Sequence, residues 1–254
     1  MEFKAPRGTS DHLPDLKANW NKIEIIARET AKSFGYNEIT TPVFEQTGLF
    51  KRAVGEGTDV VQKEMYNLTD LGGNEFTLRP EGTAPVCRAF VEHGMHNLPY
   101  PLRLFYIEPM FRHERPQSGR MRQHHQFGVE IFGDNSSEAD AEIILIGLTY
   151  LKKLGIKNLR LKLNSIGNKD SRKKFRKEFL DYFSSKKNEL PEVDKKKFDV
   201  NPIRILDSKE KVTRDLILNS PKPIEFLDDE SKQHWEKLQS IINQMIEHFD
   251  CLLY

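Results

Sequence analysis

The amino-acid sequence predicts an α+β protein. Segments 15–34 and 137–153 carry apolar residues at three- and four-residue spacing, the period of a helix that buries one side. Segments 102–112 and 123–133 are strand-like runs rich in aromatic and branched residues, and a polar segment separates them. Two such runs joined by a loop are expected to pair as an antiparallel hairpin, with the helices packed beside it.

The composition excludes several classes of protein. The chain has 254 residues, 37% of them hydrophobic, which is enough apolar material for a packed core. Its 39 Lys and Arg balance 38 Asp and Glu, so the surface is not polybasic overall. Cys87 and Cys251 are far apart, which argues against a disulfide framework and suits a reducing compartment. With no long apolar run and no signal-peptide pattern, the sequence predicts a cytoplasmic protein that does not enter a membrane.

Shorter patterns predict the remaining elements. Gly35 is expected to follow the end of the first helix, and Pro42 to lie at an edge or irregular point of a sheet, because proline cannot donate a hydrogen bond. A capping box is expected at Ser137, with Asp140 three residues on. The other expectations are strands at 61–68, 75–79 and 159–164, a glycine-containing loop at 48–59, and a helix through about Glu92 capped by Thr83.

The predicted hairpin carries the densest set of candidate binding residues. Arg112 ends its first strand, and a planar guanidinium there suits a phosphate, which it can bind through two hydrogen bonds. Period-two alternation puts one set of polar positions on a single face of the second strand: His124, Gln126, Gly128 and Glu130. Such a face makes a poor core and a good polar pocket. The alternative is an exposed hairpin with surface ion pairs.

A second candidate segment is the corner 77–84. Pro80 keeps Arg79 extended, and Gly82 permits a close backbone approach. Glu81 would then lie between a strand and a helix, where its carboxylate could bind an ammonium group; a turn with an exposed glutamate is the alternative. No glycine is followed by lysine, so the P-loop is absent, and side chains would have to hold any nucleotide phosphates. His93 and His96 lack further ligands nearby, so no metal site is expected.

Charge changes abruptly in the C-terminal third of the chain. Residues 169–197 contain eleven Lys or Arg against six Asp or Glu, and residues 225–250 contain seven acids against two lysines. Such blocks are commonly solvated helix faces. The alternative is a small separate module that binds a polyanion.

Five segments together resemble one known family. Residues 36–45, with Pro42, resemble motif 1 of the class II aminoacyl-tRNA synthetases, and residues 111–130 resemble motif 2 in its histidyl form. Matches to the histidyl-tRNA synthetase family also occur at 63–66, 78–84 and 201–207. The resemblance runs from Pro6-Arg7-Gly8 onward through nearly the whole chain.

The resemblance implies roles for individual residues. Members condense histidine and ATP, with Mg²⁺, to histidyl-adenylate and then transfer histidine to tRNA(His). Arg112 matches the catalytic arginine, which binds the α-phosphate and the attacking carboxylate. The remaining matches are Glu114, Arg120, Arg122 and His124 for ATP, Glu81, Thr83, Gln126 and Glu130 for histidine, and Arg115 and Gln117 for the tRNA acceptor end. Many members carry Phe in place of His124, but an imidazole can also stack on adenine.

The resemblance also implies an architecture. It predicts an antiparallel class II sheet flanked by helices in a catalytic core over 1–167, a mainly helical insertion over 168–235, and a return to the core over 236–254. The segment that resembles motif 1 predicts a homodimer. The chain resembles the N-terminal part of a synthetase, without the second histidine motif, motif 3 and the anticodon-binding domain, so we expect it to be inactive alone. The alternatives are the synthetase-like regulatory subunit of ATP phosphoribosyltransferase and a stand-alone tRNA-binding module.

Overall fold

The computed structural model describes residues 3–55, 58, 60–114, 119–249 and 251–253. Its helices are α1 (Pro14–Ser33), α2 (Thr47–Val54), α3 (Thr83–Glu92), α4 (Ser137–Lys153), α5 (Lys169–Ser185), α6 (Glu192–Val200), α7 (Lys211–Leu218) and α8 (Asp229–Ile246). Its strands are β1 (Asn37–Glu38), β2 (Phe44–Gln46), β3 (Tyr66–Thr69), β4 (Glu75–Leu78), β5 (Leu102–Phe111), β6 (Gln123–Phe132), β7 (Leu159–Leu161) and β8 (Cys251–Leu253). The chain divides into unit 1, Met1–Asn135 with Glu142–Ile156, and unit 2, Ser136–Ala141 with Lys157–Tyr254.

Unit 1 contains two three-stranded sheets. In the first, of order β1-β5-β6, β1 runs parallel to β5, and β5 and β6 form a long antiparallel pair from Leu102↔Phe132 to Phe111↔Gln123. In the second, of order β2-β4-β3, both pairs are antiparallel. Pro42 lies between the edge strands β1 and β2, as its missing N–H predicts.

The two faces of the β5–β6 pair pack differently. One face is apolar and packs against Ala31 of α1 and Ile146 of α4, and its residues are Phe105, Ile107, Phe127, Val129 and Ile131. On the other face, Leu104, Tyr106 and Met110 of β5 pack against Val86 of α3. The paired positions of β6 on this second face are the polar ones, and β6 is half-buried along both faces.

Unit 2 is mainly helical. Three phenylalanines one turn apart on α5, Phe175, Phe179 and Phe183, form the centre of its core with Phe198 of α6. The Asn168 side chain caps α5 by accepting hydrogen bonds from the backbone of residues 170 and 171, at 3.0 Å each. β7 and β8 pair in parallel.

The structure confirms the α+β class and most of the predicted elements. The first helix spans Pro14–Ser33, and Gly35 follows it with φ at 81°. The hairpin strands and the helix ending at Glu92 also occur as expected. Within the described ranges, no helix combines the length and hydropathy needed to cross a membrane.

Several local expectations were wrong. A helix, α2, occupies most of the expected loop at 48–59, because Phe50 is fully buried and Thr47 bonds Thr77 across the unit. Val60–Glu64 forms a π-helical turn instead of the start of a strand, and β3 begins only at Tyr66. The third predicted strand, 159–164, ends at Leu161, where its pairing with β8 stops.

The expected capping box at Ser137 was also wrong. The Ser136 hydroxyl accepts the hydrogen bond from the Ala139 N–H, at 3.2 Å. Asp140 instead pairs with His234, at 2.9 Å, and the Ser137 hydroxyl donates to the His234 carbonyl. Ser137 and Asp140 therefore form hydrogen bonds with α8 instead of capping their own helix.

Candidate active site

The polar face of β6 forms the axis of the candidate site. Leu104, Tyr106 and Glu108 of β5 pair with Glu130, Gly128 and Gln126, so all of these positions share one face. Side chains two residues apart on a strand are about 7 Å apart, so the face from His124 to Glu130 spans about 20 Å. The face is therefore long enough for an extended ligand.

Glu81 lies at the N-terminus of α3, beside this face. Its carboxylate accepts hydrogen bonds from the backbone N–H groups of Thr83, at 2.7 Å, and Ala84, at 2.9 Å. The expectation that Thr83 caps the helix was therefore wrong: Thr83 is the first helical residue, and Glu81 satisfies the free N–H groups. These bonds fix the orientation of the carboxylate and leave lone pairs for a ligand.

Glu130 and Gln126 of β6 lie on the polar face at the same end of the site as Glu81. Burial raises the pKa of Glu130; a hydrogen bond with Thr83 opposes the rise, and the nearby Glu81 adds to it. Gln126 Oε1 is buried and has no hydrogen-bond partner among the described residues. Because buried polar atoms are almost always paired, this acceptor suits a donor on a ligand.

Arg112 and His124 form the opposite end. Arg112 Nε donates to the Pro80 carbonyl, at 2.8 Å, which links the end of β5 to the corner that holds Glu81. Burial lowers the pKa of His124, the charge of Arg112 lowers it further, and Glu114 opposes both. A cation therefore lies beside an imidazole that stays neutral at pH 7.

The segment between the hairpin strands contributes two more arginines. Arg120 pairs with the Glu114 carboxylate at 3.0 Å, and Arg122 Nε donates to the Glu114 carbonyl at 3.2 Å. The backbone of Arg122 also donates to Gly8, at 2.7 Å. Gly8 has φ at 85°, and a Cβ there would lie 2.7 Å from Arg122 Cγ, so this approach requires glycine. Two predicted tRNA contacts, Arg115 and Gln117, lie outside the described residues.

An open cavity of about 1310 Å³ lies between α2 and α3. Its lining includes Glu81 and Thr83, together with apolar residues of both helices such as Leu49 and Val91. The end of the candidate site that contains Glu81 therefore borders a space that a small ligand could enter. Among the described residues, no group of three or more His, Cys, Asp or Glu side chains is arranged to hold a metal ion.

A buried ion pair beneath the site was not apparent from the sequence. Arg79, 1% exposed, bonds Glu108 at 2.7 Å, and its other donors reach the carbonyl oxygens of Thr41 and Pro109. The Glu108 carboxylate also accepts from the Thr41 N–H, at 3.0 Å. The available signal was a single carboxylate in a mostly apolar strand, since a buried charge requires a partner. This ion pair joins the residue before Pro42 to the strand that leads into Glu81.

Comparison with known proteins identifies the family. A family model described as histidyl-tRNA synthetase matches residues 8–169, which is more than half of the chain. The chain belongs to the histidyl-tRNA synthetase family. The resemblance carried by the five sequence segments is thereby confirmed.

Curated members of the family are similar over most of this chain. The histidine–tRNA ligases of Desulforudis audaxviator and of a Geobacillus species are each 46% identical over 243 and 246 residues, covering 96% of this chain. The chain spans about 58% of the length of these relatives.

Solved structures of the family confirm the fold. The apo histidyl-tRNA synthetase of S. aureus is 32% identical, with a TM-score of 0.75, and the match covers 100% of this chain and 57% of that one. The class II fold expected from the motifs is thereby confirmed. A Bacillus halodurans protein described as an ATP phosphoribosyltransferase regulatory subunit/histidyl-tRNA synthetase has a TM-score of 0.62 at 22% identity, with 94% of this chain and 65% of that one covered. That likeness shows the fold alone and does not favour the regulatory-subunit alternative.

Proposed function

We propose that the whole protein is a histidine–tRNA ligase that condenses histidine with ATP and then transfers histidine to tRNA(His). The observation that carries the proposal is the polar face of β6, which has a guanidinium beside a neutral imidazole at one end and a carboxylate with a free amide oxygen at the other. A ligand about 20 Å long, with anionic phosphates at one end and hydrogen-bond donors at the other, matches that order.

The donor-rich end of that ligand is histidine in this proposal. Glu130 accepts a hydrogen bond from an imidazole N–H, which an apolar side chain could not do. Glu81, whose carboxylate is held by the first turn of α3, pairs with the α-ammonium group together with Thr83. Gln126 lines the same pocket, and its unpaired Oε1 would accept from the bound amino acid.

The other end binds ATP, which carries Mg²⁺ as part of the substrate. One oxygen of the histidine carboxylate attacks the α-phosphorus, the bond to the bridging oxygen breaks, and pyrophosphate leaves. Arg112 stabilises the charge that grows at the α-phosphate; its Nε is held by Pro80, which leaves the Nη groups for the ligand. We assign adenine and γ-phosphate contacts to Glu114, Arg120 and Arg122, and stacking on adenine to the neutral His124.

For tRNA binding we propose two regions. The first is the segment of Arg115 and Gln117, by the match to motif 2. The second is the basic surface of α5, whose six cations are all exposed and form no ion pair with a described side chain: Lys169, Arg172, Lys173, Lys174, Arg176 and Lys177. Cations that are already unpaired can neutralise phosphates without first losing a partner.

We further propose that the catalytic core spans 1–167 and 236–254 and that 168–235 is the insertion. In support, α5 begins at Lys169. The phenylalanines of α5 form an apolar cluster with Phe198, Leu216 and Phe226, all within the proposed insertion. An insertion that contains its own apolar cluster can fold as a module.

We also propose that the whole protein is a cytoplasmic homodimer that uses α1 and the motif 1 segment. Large apolar side chains are exposed there: Leu13, Leu16, Ile23, Ile25, Val43 and Phe44. Six large exposed apolar side chains within residues 13–44 support a protein–protein interface in this part of the chain. Sedimentation at micromolar concentration should give the mass of a dimer, and a monomer would contradict the proposal.

The Glu130→Gln variant tests the function directly. In histidine-dependent ATP–pyrophosphate exchange by the whole protein, loss of a charge-assisted hydrogen bond should cost about 2–3 kcal/mol, or a 30- to 150-fold loss in kcat/KM for histidine. The KM for ATP should change little. Glu142→Gln is the matched control, because Glu142 is a half-buried carboxylate bonded to Arg103 and Tyr36 on the opposite face. Unchanged discrimination between histidine and its isosteres in Glu130→Gln would contradict the assignment.

A salt series tests the basic surface of α5. Changing Lys173 and Arg176 to Gln should make the fall of log affinity for tRNA with log salt less steep, by about 1–2 in the slope. Each duplex phosphate contact contributes about 0.9 to that slope. The matched control changes Lys187 and Lys195 to Gln; both cations lie in unit 2 but are already paired with Asp199 and Glu192. Adenylate formation should be unaffected in both variants. Equal slopes in the two variants would indicate that the surface of α5 is only solvated.

A further inference from the structure

The segment before α1, residues 3–13, lies against the hairpin at the end that the proposed function assigns to ATP. Its Gly8, Thr9 and His12 are partly buried, and its other residues are exposed. The contacts of this segment with the rest of unit 1 are therefore concentrated at two points, one at Gly8 and one at His12. None of its residues is assigned to a substrate in the proposed function.

The Gly8 carbonyl is the first point of contact. It accepts hydrogen bonds from the backbone N–H groups of Arg122, at 2.7 Å, and Gln123, at 3.2 Å. A turn presents this carbonyl, because the Thr9 N–H and hydroxyl both donate to the Pro6 carbonyl, at 3.0 and 2.7 Å. One acceptor thus holds the two residues at which the loop of the hairpin becomes β6.

Aromatic rings form the second point of contact. The centroid of the His12 ring lies 4.5 Å from that of Trp20 in α1 and 5.9 Å from that of His125 in β6. The Trp20 and His125 rings are 4.7 Å apart, edge to face. These three rings connect the segment to α1 and to β6. The position of the Gly8 carbonyl is therefore supported by a second contact four residues further along the chain.

Arg122 is the site residue that the segment contacts most closely. Its Nε donates to the Glu114 carbonyl, at 3.2 Å, and its own carbonyl accepts from the Arg112 N–H, at 2.8 Å. A Cβ built on Gly8 would lie 2.7 Å from Arg122 Cγ and 3.1 Å from Arg122 Cβ and Cδ. These distances are below the roughly 3.5 Å of normal carbon contacts, so a side chain at position 8 would displace the Arg122 side chain.

We propose that Gly8 is a positioning residue of the ATP site: its carbonyl fixes the backbone of Arg122, and its missing side chain leaves the space that the Arg122 side chain occupies. This inference rests on the proposed function, in which Arg122 contacts ATP. Arg112 has a separate anchor at the Pro80 carbonyl. A change at Gly8 should therefore affect the binding of ATP more than the rate of the chemical step.

Gly8→Ala in the whole protein tests the inference through kinetics. The KM for ATP in pyrophosphate exchange should rise about five- to tenfold, the value of one hydrogen bond, while kcat and the KM for histidine stay within about twofold. Gly73→Ala is the matched control. Gly73 has φ at 82°, close to the 85° of Gly8, but a Cβ there would have no heavy atom of the described residues within 4 Å apart from its chain neighbours. Both variants carry similar backbone strain, and only Gly8→Ala should change the KM for ATP.

A double-mutant cycle shows whether Gly8 acts through Arg122. Arg122→Ala removes Cγ and Cδ, two of the atoms that a side chain at position 8 would displace. Gly8→Ala should therefore have little further effect on the KM for ATP in an Arg122→Ala background. Additive effects, or an unchanged KM for ATP in Gly8→Ala alone, would overturn the inference.

Amide hydrogen exchange in this chain tests the contact without reference to activity. The amides of Arg122 and Gln123 should exchange about five- to tenfold faster in Gly8→Ala than in the wild type, because their shared acceptor is displaced. Their exchange rates should be unchanged in Gly73→Ala. Unchanged rates in Gly8→Ala would overturn the inference whether or not the whole protein is active.

Failure of the proposed function would have a different result. A wild-type whole protein without histidine-dependent pyrophosphate exchange would contradict the proposed function. The affinity for ATP, measured by calorimetry, would then decide the inference. Gly8→Ala should weaken ATP binding about five- to tenfold and Gly73→Ala should not. Equal ATP affinities in the two variants would overturn the inference.

Discussion

Replacing Arg112 with alanine in the whole protein should, under the proposed function, slow histidyl-adenylate formation about 10²- to 10³-fold, because a preorganised cation at the reacting phosphate supplies that much transition-state stabilisation. Its Nε is anchored to the Pro80 carbonyl at 2.8 Å, so the guanidinium does not have to reorganise during the reaction. The loss should appear in kcat for pyrophosphate exchange more than in the KM for histidine.

Two further arginine variants sharpen this result. Arg112→Lys keeps a charge but loses the planar pair of donors, so it should recover only part of the rate. Arg120→Ala should have a smaller effect than Arg112→Ala, because the Arg120 side chain is 62% exposed and is already paired with Glu114. A decrease of less than tenfold in Arg112→Ala would show that Arg112 is not the catalytic arginine.

Replacing Glu108 with glutamine should lower the free energy of unfolding of unit 1 by about 3–5 kcal/mol, the usual cost of leaving a buried charge without its partner. The uncompensated charge would be that of Arg79, which bonds Glu108 at 2.7 Å and has almost no contact with water. Urea unfolding followed by Trp20 fluorescence in a Trp235→Phe background would measure unit 1 alone, since these are the two tryptophans of the chain.

Two comparisons establish the cause of that loss. Changing Arg79 to Met and Glu108 to Leu together should cost less than the sum of the single changes, because no buried charge is left unpaired. Glu92→Gln removes the exposed partner of Arg88 and should cost less than about 1 kcal/mol. If Glu108→Gln were as mild as Glu92→Gln, the buried pair would contribute no net stability.

Features that depend on local residue spacing could be predicted from the sequence alone. The alternation along β6 separates Gln126 and Glu130 from Phe127 and Val129, and the pairing with β5 keeps that separation. The first helix and the glycine after it also follow from the periodicity of the chain and the need for a positive φ at Gly35. The motif segments identified the family, because they contain the residue types that adenylate formation requires in the proposed function.

Contacts between residues that are distant in the sequence could be identified only in the folded chain. The expected loop at 48–59 became α2 because Phe50 is buried by other segments, and local glycines do not report such burial. Arg79 and Glu108 are twenty-nine residues apart, and Tyr106 meets Gly82 and Gly128 from a neighbouring strand. Such contacts depend on strand register and helix packing. The physical reason is that a buried polar group loses its hydrogen bonds to water. It must then bond to a protein group that the fold places beside it, which can be far away in the sequence.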